Sequence, residues 1–125
     1  MIAVLNLHRL REFSADLKKL AKRFPTLEAD LETFSNTQLV LSHQTKVDNH
    51  GVERIAGIGF EDPQIFKAVK FSCRSLKGKG SKSGIRVIYA FFPKTHRIDF
   101  IEIYYKEKDD TKEDRSRIKR IYEKQ

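Results

Sequence analysis

The sequence is poor in the residues that give small proteins covalent or metal-based stabilisation. Its 125 residues contain one cysteine, Cys73, no tryptophan and one methionine. A single cysteine excludes an internal disulfide and favours a reducing, cytoplasmic environment. The simplest interpretation of Cys73 is a small residue within a strand. The four histidines, His8, His43, His50 and His96, are scattered without the spacing of metal ligands. We therefore expect no metal and no cofactor.

Several classes of protein are disfavoured by what is missing. No apolar run approaches the roughly 20 residues of a membrane span, and the first residues become polar too soon for a signal peptide. The stretch GKGSKS lacks the spacing of a P-loop and precedes a strand instead of a helix. No serine or cysteine stands in a motif for nucleophilic catalysis. The length fits a single domain of residues 1–125.

Positive charge is abundant, and it is concentrated in one segment. The formal net charge is +8, yet no acidic residue occurs between Asp62 and Asp99. That segment contains nine of the 25 basic residues, namely Lys67, Lys70, Arg74, Lys77, Lys79, Lys82, Arg86, Lys94 and Arg97. The rest of the chain has 16 basic and 17 acidic residues. This segregation indicates an anionic partner, such as nucleic acid, a membrane surface or an acidic protein.

The spacing of apolar residues predicts two helices near the N-terminus. Residues 2–7 are compatible with a short strand, and apolar residues then recur at intervals of three and four over 10–24. Pro25 ends this first pattern. Thr26 is expected to cap a second helix, whose apolar face fades near His43. Two helices joined by such a turn indicate an antiparallel helical hairpin.

Three strands are predicted in the second half of the chain. Residues 65–73, 85–92 and 98–105 are rich in β-branched and aromatic side chains. The short connection at 93–96 indicates an antiparallel hairpin between the last two strands. Residues 52–60 alternate only weakly and suit either a short strand or a fitted loop.

A terminal helix completes the predicted order of elements. Residues 111–114 resemble a capping box, and the helix that follows has only three apolar residues, Ile118, Ile121 and Tyr122. So narrow a stripe predicts weak docking and mobility. Helices followed by strands favour an α+β fold, with the helical hairpin packed on one face of a small antiparallel sheet. The other face is expected to be at least partly open.

The strand at 85–92 places an arginine beside the basic loop that precedes it. Alternation of side chains puts Ile85 and Val87 in the core and Arg86 on the open face. An arginine held there could bind a phosphate with two hydrogen bonds. The alternative is an ion pair with a carboxylate on the next strand, such as Glu102. On that strand, alternation groups Ile101, Ile103 and Tyr105 against Phe100, Glu102, Tyr104 and Lys106.

The loop before this strand has two interpretations. Lys77, Lys79 and Lys82 stand among glycines and serines, so they form either a solvated, flexible loop or a mobile phosphate-binding group. The absence of nearby acidic residues favours the second interpretation. Positive groups for phosphates together with aromatic rings for unstacked bases would suit RNA.

Three stretches resemble the RelE/ParE superfamily of bacterial type II toxin–antitoxin toxins: EFSADLKKLAKRF, CRSLKGKGSKSGIRVIYAFF and IDFIEIYYKEKDD, in that order. The resemblance covers roughly residues 8–120, and residues 44–63 look like an insertion relative to shorter members. It implies the helical hairpin, the small sheet and the C-terminal helix. For RelE-like members it also implies ribosome-dependent, metal-independent cleavage of mRNA, in which the 2′-hydroxyl attacks the adjacent phosphate.

The resemblance assigns roles to residues of this chain. The catalytic candidates from the resemblance are Arg86, Lys77, Lys106 and Tyr105. The RNA-binding candidates are Arg74 and Lys79, also from the resemblance, together with Lys70 and Lys82 from the basic segment. Arg86 matches the arginine that stabilises the transition-state phosphate, and Tyr105 falls where many members have histidine. A tyrosine that several members carry further on is missing, because residues 109–112 occupy its place. Tyr105 or Tyr122 would have to substitute for it.

The partners implied by the resemblance are a cognate antitoxin with an acidic binding segment, the ribosome and mRNA. Two alternatives stay open. One is a ParE-like, non-enzymatic inhibitor of DNA gyrase, and the other is a basic RNA-binding module without catalysis. The basic segment favours the endoribonuclease, whereas the missing tyrosine leaves room for the alternatives, since one fold can support several functions.

Overall fold

The computed structural model describes residues 4–107 and 111–123. Its strands are β1 (Asn6–Arg9), β2 (Val52–Arg54), β3 (Gln64–Ala68), β4 (Ile85–Phe92) and β5 (Arg97–Tyr105). Its helices are α1 (Arg11–Ala21), α2 (Leu27–Phe34), α3 (Val40–His43) and α4 (Arg115–Tyr122), and a π-helical stretch, Ser35–Leu39, joins α2 to α3. The predicted α+β content is confirmed. No helix in the described ranges has the length and apolar composition of a membrane span.

The five strands form one mixed sheet in the order β1-β5-β4-β3-β2. Neighbours from β5 to β2 are antiparallel, as predicted, whereas β1 pairs with β5 in parallel, with Leu7 opposite Ile98. The expectation of a purely antiparallel sheet is therefore wrong at this edge. Parallel pairing needs a long connection, and residues 10–96 lie between β1 and β5. The strand also occurs later than the predicted 2–7, of which residues 2 and 3 lie outside the described ranges.

The strands β4 and β5 agree closely with prediction, including the antiparallel hairpin through residues 93–96. The strand β3 does not, because it ends at Ala68 instead of continuing to Cys73. After Ala68 the chain turns away from the sheet towards the helices. The amides of Val69 and Lys70 both donate to the carbonyl of Gly51. Cys73 is buried near the start of α2 and is not a strand residue.

The face of the sheet that packs against α1 and α2 is called the helix face. Its core combines Phe13 and Leu31 from the helices with Val87 and Tyr89 from β4. Thr26 stands at the N-cap position of α2, as predicted. However, its hydroxyl donates to Asp30 Oδ2 at 2.6 Å and makes no capping bond to the helix. The predicted cap is therefore replaced by a bond to a buried carboxylate.

The opposite face, called the α4 face, is mostly covered, so the predicted opening of this face is limited to the part near the start of β4. A second apolar cluster there includes Ile58, Ile88, Ile101 and Ile118, and Ile118 is fully buried. The covering residues come from the loop after β2 and from α4. Both segments gave weak apolar patterns in the sequence, and they bury only a few large side chains each. The α4 face is left uncovered near the start of β4.

A β-bulge in β5 changes which side chains share a face. Ile88 lies opposite Glu102, but the next residue of β4 lies opposite Phe100, so Ile101 has no partner of its own. Phe100 and Ile103 consequently both pack on the helix face, while Ile101 packs on the α4 face. The predicted grouping is therefore wrong at Phe100 and Ile101, because one extra residue resets the alternation.

The helix α4 begins later than predicted and is held mainly by polar contacts. Its N-cap is Asp114, whose side chain accepts from the amide of Arg117 at 3.1 Å. Its ties to the rest of the protein are Arg117 to Asp16 (2.7 Å), Arg120 to Glu12 (2.8 Å) and the Tyr122 hydroxyl to Asp99 (2.7 Å). The narrow apolar stripe is thus supplemented by charge. The mobility of this helix stays a prediction.

A buried histidine lies at the end of α3. The His43 Nε2 atom is 2.6 Å from the Tyr89 hydroxyl, and the imidazole stacks on the Phe91 ring at 4.3 Å between centroids. Burial lowers the pKa of His43 to about 4. The imidazole is therefore neutral in the folded protein at physiological pH.

We predict that acid weakens the fold through His43. The unfolded chain takes up the proton first, since the pKa of His43 falls from 6.5 to about 4 on folding. The contribution of neutral His43 to the free energy of unfolding is complete above the pKa of the unfolded chain. It is lost as pH decreases towards the pKa of the folded protein. Urea unfolding at a series of pH values should show this loss, and His43→Phe should reduce it by about 2–3 kcal/mol. His50→Phe, at an exposed site, is the control, and equal pH dependence in all three proteins would contradict the prediction.

Candidate functional site

A cavity of about 620 Å³ lies where β4 begins and β5 ends, between the uncovered part of the α4 face and the start of α4. We call it the Arg86 cavity. Its lining is dominated by charge and comprises the basic residues Lys67, Arg86, Lys106, Lys112 and Arg115, the acidic residues Glu53 and Glu113, and Val69, Tyr104 and Thr111. Five positive groups facing two carboxylates would attract an anion.

Arg86 is held at the base of this cavity by its strand. Its neighbours Ile85 and Val87 are buried on the helix face, so Arg86 points to the α4 face, as predicted. Its cross-strand partner is Tyr104. Within residues 4–107 and 111–123, the Arg86 guanidinium makes only long hydrogen bonds, to the carbonyls of Val69 (3.5 Å) and Ile85 (3.4 Å). It therefore keeps most of its donors for a ligand.

The ion pair that offered an alternative role for Arg86 is not formed. Glu102 lies opposite Ile88 and accepts a hydrogen bond from the amide of Asp114 at 2.8 Å. Burial raises the pKa of Glu102. Among residues 4–107 and 111–123, no carboxylate pairs with Arg86. A half-buried arginine without a carboxylate partner favours binding of an external anion.

Two other cations of the cavity share one carboxylate. Glu113 accepts from Lys67 Nζ through Oε1 and from Arg115 Nε through Oε2, each at 3.1 Å. The Glu113 side chain is only 6% exposed. Burial alone would raise its pKa, but hydrogen bonds from the backbone, Lys67 and Arg115 lower the pKa overall. Glu113 is consequently ionised at neutral pH and neutralises part of the cavity.

Lys106 is brought to Arg86 by a contact between strand ends. Its amide donates to the carbonyl of Gly84 at 2.8 Å, which joins the end of β5 to the start of β4. Gly84 has φ +88°, and a Cβ there would lie 3.1 Å from the Tyr105 ring. Only glycine fits this close approach. The presence of a glycine two residues before Arg86 is therefore explained by the structure.

Tyr104 is the aromatic residue of the cavity. Burial, together with the charges of Glu113 and Glu102, raises the pKa of Tyr104 to about 12, although Arg86 acts in the opposite direction. The phenol therefore keeps its proton at neutral pH. It can donate a hydrogen bond or a proton to a group beside Arg86.

The structure does not bring Tyr105 into the cavity. Tyr105 lies on the helix face, with its ring centroid 5.0 Å from that of Phe24 and 5.0 Å from the guanidinium carbon of Arg23. The sheet separates it from Arg86. Tyr122 is also distant, because it packs beside Phe92 at the other end of β4. Six residues of strand correspond to about 20 Å.

The predicted basic loop lies outside the cavity lining as well. Lys77, Lys79 and Lys82 are exposed. The start of the loop is anchored on the helix side, where the amide of Ser75 donates to the Thr26 hydroxyl at 2.9 Å. The loop lysines thus lie near Arg86 in sequence but do not share its cavity.

The remaining two candidates have partners elsewhere. Arg74 donates to Asp30 from its backbone amide (3.0 Å) and from Nε (2.9 Å). Burial opposes the ionisation of Asp30, but bonds from Thr26 and Arg74 lower its pKa overall. Lys70 Nζ donates to the carbonyl of Asn49 at 2.7 Å. Both residues therefore have structural roles.

Several members of the cavity were not predicted from the sequence. Lys67 was seen only as part of the basic segment, and Glu53, Lys112, Glu113 and Arg115 were not singled out. Lys67 and Glu53 face each other across β2 and β3. Period-two alternation could have placed each on a face, but only the strand register shows which residues meet.

Comparison with solved structures identifies the fold. The chain is similar to RelE in the crystal structure of the archaeal RelE–RelB complex from Pyrococcus horikoshii OT3, with a TM-score of 0.51 and 15% sequence identity. The match covers 85% of this chain and 99% of that one. This chain therefore has a RelE-like fold. No protein-family model matches the sequence, and neither does any curated protein.

We predict that Asp30 and Arg74 contribute very unequally to stability. Asp30→Ala leaves the part-buried amide of Arg74 without its acceptor and removes the bond from the Thr26 hydroxyl, and it should lower the free energy of unfolding by about 2–4 kcal/mol. Arg74→Ala removes a largely exposed side chain and should cost about 1 kcal/mol or less. Urea denaturation measures both values. Equal losses in the two variants would show that the loop does not depend on the buried carboxylate.

Proposed function

We propose that this chain is the toxin of a toxin–antitoxin pair and cleaves ribosome-bound mRNA without a metal. The observation that carries the proposal is Arg86, a half-buried arginine that lines a cavity with Lys106 and Lys112 and has no carboxylate partner among the described residues. The RelE-like fold supports a toxin, and the charge of the cavity supports a phosphate ligand. The cleavage chemistry is what the resemblance to RelE-like toxins implies, and the charged residues of the cavity suit it.

The proposed reaction is an internal transesterification. The 2′-oxygen of the RNA attacks the adjacent phosphorus, and the bond from phosphorus to the 5′-oxygen breaks. The 2′-hydroxyl loses one proton and the departing 5′-oxygen gains one, so that a cyclic phosphate and a 5′-hydroxyl are formed. Negative charge builds up on the non-bridging oxygens. Arg86 and Lys106 would stabilise that charge in a site organised before the substrate binds.

The cavity also offers groups for the two proton transfers. Tyr104 keeps its proton at neutral pH and would donate it to the departing 5′-oxygen. Glu53 is exposed on β2, lines the cavity and forms no salt bridge among the described residues, although Lys67 lies opposite it on β3. It would accept the proton of the 2′-hydroxyl. These assignments replace Tyr105, which lies on the other face of the sheet.

Partners follow from the same charge distribution. Lys77, Lys79 and Lys82 would attract more distant phosphates of the mRNA or of the ribosome. An antitoxin would carry an acidic segment that neutralises Arg86 and these lysines. The neighbouring open reading frame is the first place to look for such a protein.

We predict that Arg86→Ala reduces ribosome-dependent mRNA cleavage by about 10²–10³-fold, as for removal of one oxyanion donor. A cell-free translation reaction with purified protein, followed by primer extension to map new 5′ ends, measures this. Arg11→Ala is the matched control, since it removes an exposed arginine from α1. It should cleave like the unchanged protein.

The same experiment separates the alternatives. Full cleavage by folded Arg86→Ala protein would show that the site is wrongly assigned. Intact mRNA with the unchanged protein would exclude the endoribonuclease, and a DNA-damage response in cells would then favour the gyrase inhibitor. If the protein causes neither mRNA cleavage nor a DNA-damage response, the remaining alternative is a basic RNA-binding module.

We predict that the two adjacent tyrosines behave differently. Tyr104→Phe removes the proposed proton donor and should lower the cleavage rate by about 10²-fold at neutral pH. Tyr105→Phe removes a hydroxyl on the helix face and should leave the rate nearly unchanged. Single-turnover cleavage on programmed ribosomes measures both rates. A larger loss in Tyr105→Phe would return the acid–base role to the residue that the sequence had indicated.

A further inference from the structure

The Glu113 carboxylate occupies the space between two cations of the Arg86 cavity. Its Oε1 accepts a hydrogen bond from Lys67 Nζ and its Oε2 accepts one from Arg115 Nε, so each oxygen has its own positive partner. Arg115 is itself fixed by a bond from Nη1 to the carbonyl of Ala56 at 2.8 Å. Lys67 is 25% exposed and belongs to the sheet. Two positioned cations thus hold one anion that is almost completely removed from water.

We propose that Lys67 and Arg115 form a second phosphate-binding subsite, which Glu113 occupies in the free protein and RNA takes over on binding. The inference rests on the proposed function, because it takes RNA as the ligand. The two non-bridging oxygens of a phosphodiester present the same donor requirement as the two oxygens of a carboxylate. Glu113 therefore acts as an internal substitute for a phosphate.

The position of Lys67 relative to Arg86 fits this role. Lys67 lies opposite Ile88, which is two residues from Arg86 on the same face of β4. Such diagonal neighbours on adjacent strands are about 7–8 Å apart. A ligand phosphate at Arg86 and a second one at Lys67 could therefore belong to one strand of RNA. Arg86 would receive the reacting phosphate, and Lys67 with Arg115 a neighbouring one.

The occupied subsite has an energetic consequence. Lys67 and Arg115 already have a counterion inside the protein, so RNA has to displace Glu113 before it gains their charge. The cavity consequently binds RNA less tightly than its five cations would allow. Glu113 lies just before α4, and release of its carboxylate would also remove one of the contacts that hold the start of this helix.

The test measures RNA binding instead of cleavage. The probe is an unstructured single-stranded RNA of about 12 nucleotides, and its affinity is measured by fluorescence anisotropy over a range of salt concentrations. We expect Glu113→Gln to bind the probe about three- to tenfold more tightly than the unchanged protein. The slope of log K against log salt should become steeper by about 0.7–1.4, which corresponds to one or two further phosphate contacts.

Two further variants make the result specific. Glu32→Gln removes the same charge from an exposed position on α2 and should leave the affinity nearly unchanged. Adding Lys67→Met to Glu113→Gln should lower the gain, because one of the two released cations is then missing. An undiminished gain in this double variant would come from loosening of α4 and would overturn the subsite.

The outcomes are distinguishable from those of the proposed function. If Glu113→Gln binds no better than Glu32→Gln, or does not bind the probe, the subsite is excluded even where Arg86→Ala abolishes cleavage. If Glu113→Gln binds more tightly through Lys67 but the unchanged protein cleaves no mRNA, the subsite stands and the endoribonuclease does not.

Discussion

Burial of β4 on both of its faces is the constraint on which the rest of the structure depends. The helix face takes Val87 and Tyr89, and the α4 face takes Ile88 and Ala90. A strand enclosed in this way cannot hold a charged side chain in its middle without a large cost of desolvation. Arg86 is tolerated because it lies one residue from the start of the strand, where α4 and the loop after β2 no longer cover the sheet. The Arg86 cavity therefore lies where the apolar cluster of the α4 face ends.

Prediction from the sequence was most successful where one local rule decided the outcome. The bounds of β4, the hairpin that follows it and the direction of Arg86 all depend on alternation and on a short connection, both of which can be counted in the sequence. It was less reliable where distant segments meet. The cover of the α4 face, the end of β3 at Ala68 and the bond from Arg74 to the buried carboxylate of Asp30 require knowledge of which segments pack together. No local pattern contains that information.

The same distinction applies to charge, because the number of basic residues can be counted in the sequence but their partners in the fold cannot. The basic segment was correctly identified as a feature, but the structure places its members in different surroundings. Arg74 is paired with Asp30 and Lys67 with Glu113, whereas Arg86 is paired with no carboxylate among the described residues. A net charge therefore overstates the positive potential that a ligand meets. What matters for binding is which cations have a carboxylate beside them in the folded chain.

The β-bulge at Ile101 bears on how this chain should be aligned with its structural relatives. A relative with a regular strand at this position has one residue fewer between the two ends of β5. An alignment without a gap then matches every position after the bulge to one on the wrong side of the sheet. It would exchange Tyr104 with Tyr105 in any transfer of roles. With 15% identity to its structural neighbour, sequence alone gives little guidance on where that gap belongs, so positions in this strand should be compared by superposition.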